Sequence, residues 1–357
     1  MGSYFSDSRF GAGELEVDDM KTKHLLVVGG IGGAMLGVRG AIRYRRSIDL
    51  MGKNVLITGG SRGLGLVLAR QLIARGARIA ICARDLGELE RAREDLASRG
   101  GTITTVQCDL TDQNQVDLMV CSVRKTLGPI DILINNAGII GVGPIQTMGV
   151  EDFDAAMKTH FYAPLYTTLA VLPDMREKGA GRIVNISSIG GLVSVPHLVP
   201  YVASKFALTG FSQGLRAELM RENIYVTTVY PGLMRTGSPR NVQVKGKHKI
   251  EYALFKMMDS LPVSAMSVNR AARQIINAFA RGQANIVLSI QAKTAAKLHA
   301  LFPSISNDAN AMLNMLLPTA RPGDRKSVRG YEAESMLTRS PLAILTKRAA
   351  FANNEMG

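Results

Sequence analysis

Short apolar runs separated by amphipathic stretches of helix length occupy residues 53–290. Lys53-Asn54-Val55-Leu56-Ile57-Thr58 reads as a buried strand, and a helical pattern follows through Arg75. Strands are predicted at Arg78 to Cys82, Ile103 to Cys108, and Ile130 to Asn135. Helices are predicted between them, at Leu86 to Ser98 and Gln113 to Leu127. The run Arg182-Ile183-Val184-Asn185-Ile186-Ser187 is a further strand, and Ser204 to Met220 a further helix. A last helix, Asn269 to Arg281, and strand, Asn285 to Ile290, complete the series. Strands joined by helix-length crossovers cannot pair as hairpins; they imply a parallel sheet with right-handed connections.

The ends of the chain break this pattern. Residues 1–23 are polar and rich in acidic side chains, and read as flexible. Residues 24–46 are apolar and Gly-rich, with Gly29, Gly33 and Gly37 at helix-packing spacing. A membrane anchor and a helix packed on the main domain both fit this segment. Arg39 interrupts it, and Arg43, Arg45 and Arg46 flank it, which would hold the main domain on the cytoplasmic side. No small-residue cleavage site follows, so a signal peptide is disfavoured. Beyond residue 290, Gln291 to Leu301 and Ala309 to Leu317 read as short helices. From Arg321 onward the chain turns polar and reads as disordered, with a frayed or weakly helical stretch at Leu342 to Phe351.

Composition adds limits. The net charge is +14 over 357 residues, but the basic residues are scattered and no basic-aromatic stripe appears. Nucleic-acid binding is therefore disfavoured, and an anionic cofactor or membrane surface explains the sign better. Three cysteines, Cys82, Cys108 and Cys121, lack metal spacing and suit a reducing compartment.

The chemistry collects where the predicted strands end. The first strand runs into Gly59-Gly60-Ser61-Arg62-Gly63-Leu64-Gly65. A glycine turn between strand and helix lets the backbone approach a pyrophosphate, and the helix N-terminus offers N–H groups and a positive dipole end. After the second strand comes Ala83-Arg84, with no carboxylate to hold a ribose 2′-hydroxyl. Arg84 and Arg62 would attract a 2′-phosphate instead, which favours NADP(H) over NAD(H). Asp109-Leu110 follows the third strand; Asp109 either accepts from an adenine amino group or caps the next helix, a job Thr111 could also fill. The fourth strand ends in Asn135-Asn136-Ala137-Gly138, where small residues let the backbone lie close to a ribose. Finally, Tyr201 and Lys205 stand four apart on one helix, with Ser188 at the tip of the preceding strand. An ammonium beside a phenol favours the phenolate and would move its pKa from about 10 toward neutrality.

T-G-x-x-x-G-x-G at 58–65, N-N-A-G at 135–138, Ser188, Y-x-x-x-K at 201–205, then Pro231-Gly232 and Thr236 stand in one order. Together they resemble the short-chain dehydrogenase/reductase superfamily over about residues 52–290. The resemblance implies an α/β, Rossmann-type doubly wound parallel sheet over 50–292, with a lid at 233–265; the helical extension and disordered tail at 293–357 are not required by the family. It implies Tyr201 as acid/base, Lys205 as its partner on the nicotinamide ribose, and Ser188 on the substrate oxygen. Pro231, Gly232 and Thr236 would hold the nicotinamide end. One position departs from the family, where an Asn in the preceding helix holds a water that links the Lys to solvent. Here His160 stands at that position. It would hold the same water, titrate in the relay near pH 6–7, or serve only as a helix residue. Lid residues Leu233, Met234, Tyr252, Leu254, Phe255, Met257, Met258 and Leu261, with Pro196, His197 and Leu198, suggest a hydrophobic ketone, aldehyde or alcohol. The expected assembly is a homodimer or homotetramer through the helices of His160 and Lys205. The reading from another class is a silent, membrane-anchored NADP-binding scaffold.

Overall fold

The computed structural model describes Gly40 and residues 45–260, 265–321, 324–335, 338 and 344–356. The chain divides into units 1–47 and 48–357, and the second is described below. Nearly all of the expected anchor, residues 24–46, lies outside the described residues, as do Leu261 and much of 336–343. Among the described residues no helix is long and apolar enough to cross a membrane.

A seven-stranded parallel sheet carries the fold. Its strands are β1 (Asn54–Thr58), β2 (Arg78–Ala83), β3 (Ile103–Gln107), β4 (Ile132–Asn135), β6 (Gly181–Ile186), β7 (Ile224–Tyr230) and β11 (Asn285–Val287), in spatial order β3-β2-β1-β4-β6-β7-β11. The reversal between β1 and β4 opens a crevice at the strand ends, the place where such sheets receive ligands. Strand β1 is buried on both faces. Val55 and Ile57 point to one layer and Leu56 to the other, as a period of two requires. The first layer holds α1 (Gly63–Ile73), α2 (Leu86–Ala97) and α8 (Val268–Ala280). The second holds α3 (Gln113–Leu127) and α5 (Ala163–Glu177), the latter preceded by α4 (Val150–Met157). Helix α8 shows why: Val268, Ala271, Ala272, Ile275, Ile276 and Phe279 recur at three and four residues and are all buried. Each large side chain there contributes roughly 1.5–3 kcal/mol of burial.

Local signals set the boundaries. Asp85 caps α2 by accepting from Glu88 N. Asp112 caps α3 by accepting from Asn114 N and Gln115 N, so neither Asp109 nor Thr111 is the cap. Asp109 instead closes its own turn, accepting from the N–H and hydroxyl of Thr111. Helix α6 spans Val199–Leu219 and starts five residues before the expected Ser204. Pro200 lies in its first turn, where a missing N–H costs nothing.

The greatest departure is in the last third. The expected lid, 233–265, is tied into the body: β9 (Gln243–Val244) pairs with β5 (Gly141–Val142) and with β12 (Val328–Arg329). Short β8 (Met234–Arg235) and β10 (Met266–Ser267) pair on its other side. The polar segment after Arg321, expected to be disordered, thus supplies a strand, and of the two readings of Leu342 to Phe351 the helix is found, as α11 (Ile344–Ala352). Its contacts are polar and long-range, such as Ser260 Oγ to Thr346 Oγ1 at 2.8 Å. Hydrophobic periodicity does not reveal bonds of that kind. Helices α9 (Ile290–Leu301) and α10 (Pro303–Met315) form an exposed hairpin, and α10 starts six residues earlier than predicted.

Candidate active site

Strand β6 ends two residues before Ser188, whose hydroxyl accepts from Gly190 N at 3.0 Å. That bond turns the chain outward and fixes the hydroxyl at the strand tip. Tyr201, in the first turn of α6, brings its phenol to Ser188, and the serine favours the phenolate. Lys205 lies one turn on, buried, with Nζ 5.6 Å from the centre of the Tyr201 ring. Its ammonium donates to Ile186 O at 2.9 Å. The three groups predicted from sequence therefore meet at one point.

Their electrostatics differ from the expectation. Burial raises the Tyr201 phenol above its ordinary value, and only the Ser188 hydroxyl opposes this. Lys205 does not bring the phenol toward neutrality. Its own pKa is lowered to about 7 by burial. Burial penalises the charged form of both groups, although Tyr201 as a whole is half-buried.

His160 is fully enclosed, and its place follows from a local break in the helix. Lys158–Tyr162 forms a π turn between α4 and α5. Pro164 lacks the N–H that would reach the carbonyl of His160, four residues back, so the ladder must shift there. The imidazole Nε2 accepts from Ile139 N at 3.1 Å. The proton therefore sits on Nδ1, which donates to Ser204 Oγ at 2.7 Å, and Ser204 donates onward to Tyr201 O at 2.8 Å. The imidazole edge also meets the Tyr201 ring, with centroids 5.3 Å apart. Burial first, and the Lys205 charge second, hold its pKa well below 6.5. The expected titration near pH 6–7 is thus not what this site provides: both nitrogens are engaged and the ring is neutral. It braces the first turn of α6 against the loop after Gly138.

The glycine loop is built for close approach. A Cβ on Gly65 would meet Gly59 O at 2.2 Å, and one on Gly59 would meet Ala137 Cα at 2.9 Å. Asn136 Nδ2 donates to Thr58 O and Gly59 O and holds the loop to the end of β4. The Arg62 side chain does not cap α1, whose first residues are Gly63, Leu64 and Gly65. Such a helix N-terminus fits a dinucleotide pyrophosphate. Arg84 is exposed at the end of β2. Arg62 pairs with Glu88 at 2.8 Å and lies 3.6 Å from Glu355. Leu110 is buried beside Cys108. Ile189 N donates to Pro231 O, Gly232 backs onto Ser289, and Thr236 bonds Ser238. Cys82 and Cys108 are buried and Cys121 is half-buried; burial raises the first two thiols, Cys108 to about 11.

Helix α7 (His248–Ser260) lies in the segment expected to form the lid. It is longer than the expected Glu251 to Met258. Tyr252 is buried, but Leu254, Met257 and Met258 are 38%, 39% and 55% exposed. Its inward face is largely polar: Glu251, Lys256, Asp259 and Ser260. The C-terminal extension supplies partners for two of these groups, Glu334 for Lys256 and Thr346 for Ser260. Sequence reasoning missed a second pair there. His197, buried with φ of 62°, bonds Glu251 through Nδ1 at 2.9 Å. The two residues are 54 apart in the chain, and no local signal joins them.

The comparisons with known proteins agree with this geometry. The family model for short chain dehydrogenases matches residues 53–246. A dehydrogenase/reductase SDR family protein 7-like from Anopheles gambiae is 36% identical over 267 residues, 73% of this chain and 83% of that protein. A variant of actinorhodin polyketide ketoreductase, solved with NADPH, superposes with TM-score 0.60 at 28% identity, over 68% of this chain and 97% of the other. L-sorbose reductase from Gluconobacter frateurii, complexed with NADPH and L-sorbose, gives 0.60 at 25% identity, over 68% and 97%. The chain belongs to the short-chain dehydrogenase/reductase superfamily and is an oxidoreductase of that family.

Proposed function

We propose that the protein transfers a hydride between NADP(H) and a hydrophobic ketone, aldehyde or secondary alcohol, with Tyr201 as the acid/base. The observation that carries this is the meeting of the Tyr201 and Ser188 hydroxyls at the tip of β6, above the buried Lys205 amine. The nicotinamide, when bound, supplies or accepts the hydride. Ser188 orients the substrate oxygen, and Tyr201 gives it a proton in reduction or takes one in oxidation. Lys205, with a pKa near 7, replaces that proton from solvent or passes it on. His160 is a positioning residue that keeps Tyr201 facing Ser188.

The glycine loop, with Gly138, Ala137 and Asn136 behind it, would hold the pyrophosphate and ribose. Asp109 and Leu110 would flank the adenine, and Pro231, Gly232 and Thr236 the nicotinamide. The NADP(H) preference rests on Arg84, on Arg62, and on the NADPH of both structural neighbours. The apolar substrate rests on the α9–α10 hairpin. Asn310 ties it to Ser194, six residues past Ser188, and it exposes Leu298, Leu301, Phe302 and Leu313. A dimer is supported by Tyr162, Leu169 and Phe206, exposed on the helices that carry His160 and Lys205. We place the protein in the cytoplasm, with residues 24–46 as its membrane contact, on the sequence pattern alone. The decisive test is Tyr201→Phe: turnover of a ketone panel with NADPH should fall at least about a thousandfold, with NADPH binding kept. Retained turnover would defeat the assignment.

A further inference from the structure

The C-terminus does not trail away from the body; it lies across the glycine loop. Gly63 N, at the start of α1, donates to Asn353 O at 2.9 Å. Asn354 Nδ2 donates to Ser61 O at 2.9 Å and to Glu88 O at 3.0 Å. The Glu355 carboxylate is buried, with Oε1 so close that a Cβ on Gly63 would meet it at 2.6 Å. Its other oxygen accepts from Asn241 Nδ2 at 2.6 Å and faces Arg62 Nε at 3.6 Å. Asn353 Nδ2 reaches Thr236 O at 3.2 Å, at the far end of the same crevice. Arg70 and Arg91 hold the segment from outside, at Ala352 O and Asn354 Oδ1.

A carboxyl group at the N-terminus of α1, beside an arginine, occupies the place a phosphate would take. The backbone donor Gly63, the arginine Arg62 and the loop that carries Thr236 are the groups assigned above to the dinucleotide. Neither ligand can use them while the other does. We propose that Asn353, Asn354 and Glu355 are an internal competitor for the cofactor's phosphates: the closed tail fills their cradle and must lift before the nucleotide enters. The inference rests on the nucleotide-binding reading of the loop.

Tail lifting reduces the apparent affinity by the fraction of open molecules. Two chains are compared, the full protein and one ending at Ala352, with Glu355→Gln and Asn354→Ala in the full chain as milder variants. NADPH affinity is read by fluorescence titration and loop protection by hydrogen exchange of residues 61–66 without nucleotide. Shortening should tighten NADPH binding roughly tenfold and lower its KM with kcat for a ketone unchanged. Each single variant should tighten binding by a smaller factor. Exchange at 61–66 should quicken in the shortened chain. Unchanged exchange would overturn the contact. Quickened exchange with equal or weaker NADPH binding would overturn the competition, since the tail would then be a clasp over bound cofactor. Failure of both chains to bind any nicotinamide nucleotide would overturn the cofactor reading, and this inference with it.

Discussion

Replacing His160 by Ala tests the account of the site most directly. The buried imidazole accepts from Ile139 N, donates to Ser204 Oγ and packs edge-on against Tyr201. Removing it leaves the part-buried Ile139 N–H without its acceptor, which costs about 1–3 kcal/mol. The cavity and lost contacts add about 2 kcal/mol. We expect a loss of roughly 3–5 kcal/mol, or about 6–15 °C in Tm for a chain of this size. The pH dependence gives a second reading. His160 has a folded pKa well below its unfolded value near 6.5. Below that value the unfolded chain binds a proton that the folded chain refuses, so stability falls as pH drops, by up to about 1.4 kcal/mol per unit. His160→Ala should remove that slope, and kcat should fall as Tyr201 loses its brace, with no change in the pKa values of the rate profile. Urea unfolding at pH 5 to 8, with pH–rate profiles, reads all of this. If the variant instead keeps its stability and loses an ionisation near pH 6–7 from the rate profile, His160 is a titrating relay and the reasoning is wrong.

Other outcomes follow from the same geometry. Lys205→Met should abolish turnover yet raise stability at pH 7 by roughly 3–5 kcal/mol, because the folded amine at about 7 lies below its unfolded value of 10.5 and that penalty accumulates as pH falls from 10.5 to 7; a destabilised variant in calorimetry would contradict this. Arg84→Ala should weaken NADPH binding about tenfold or more while leaving NADH within twofold, read by titration; equal losses for both would remove Arg84 from the 2′-phosphate. Glu355 has its pKa raised to about 7 by burial first, with Arg62, Asn241 and Arg240 opposing and Glu88 adding to it; Asp259 feels the Glu355 charge in turn. The closed tail therefore binds a proton that the free tail releases, and the NADPH advantage of the chain ending at Ala352 should widen between pH 8 and 6; a constant ratio would count against it. Leu169→Asp with Phe206→Asp should shift the protein to half its mass in light scattering, and an unchanged mass would move the interface elsewhere.

The sequence by itself determined the sheet, the glycine loop and the Ser188–Tyr201–Lys205 constellation, because each rests on local signals. Apolar runs such as Val55-Leu56-Ile57 have no stable place but a buried strand, and Tyr201 and Lys205 are neighbours on any helix. The tertiary structure decided what depends on distant neighbours. Whether the Tyr201 phenol is acidic or suppressed turns on how much water is excluded, not on spacing. The neutral state of His160 is set by Ile139 and Ser204, 21 and 44 residues away. The polar tail found its partners 293 residues upstream, where Asn354 meets Ser61. Helix and strand periodicity reports only which face of an element is buried; it carries no record of the polar group that covers it.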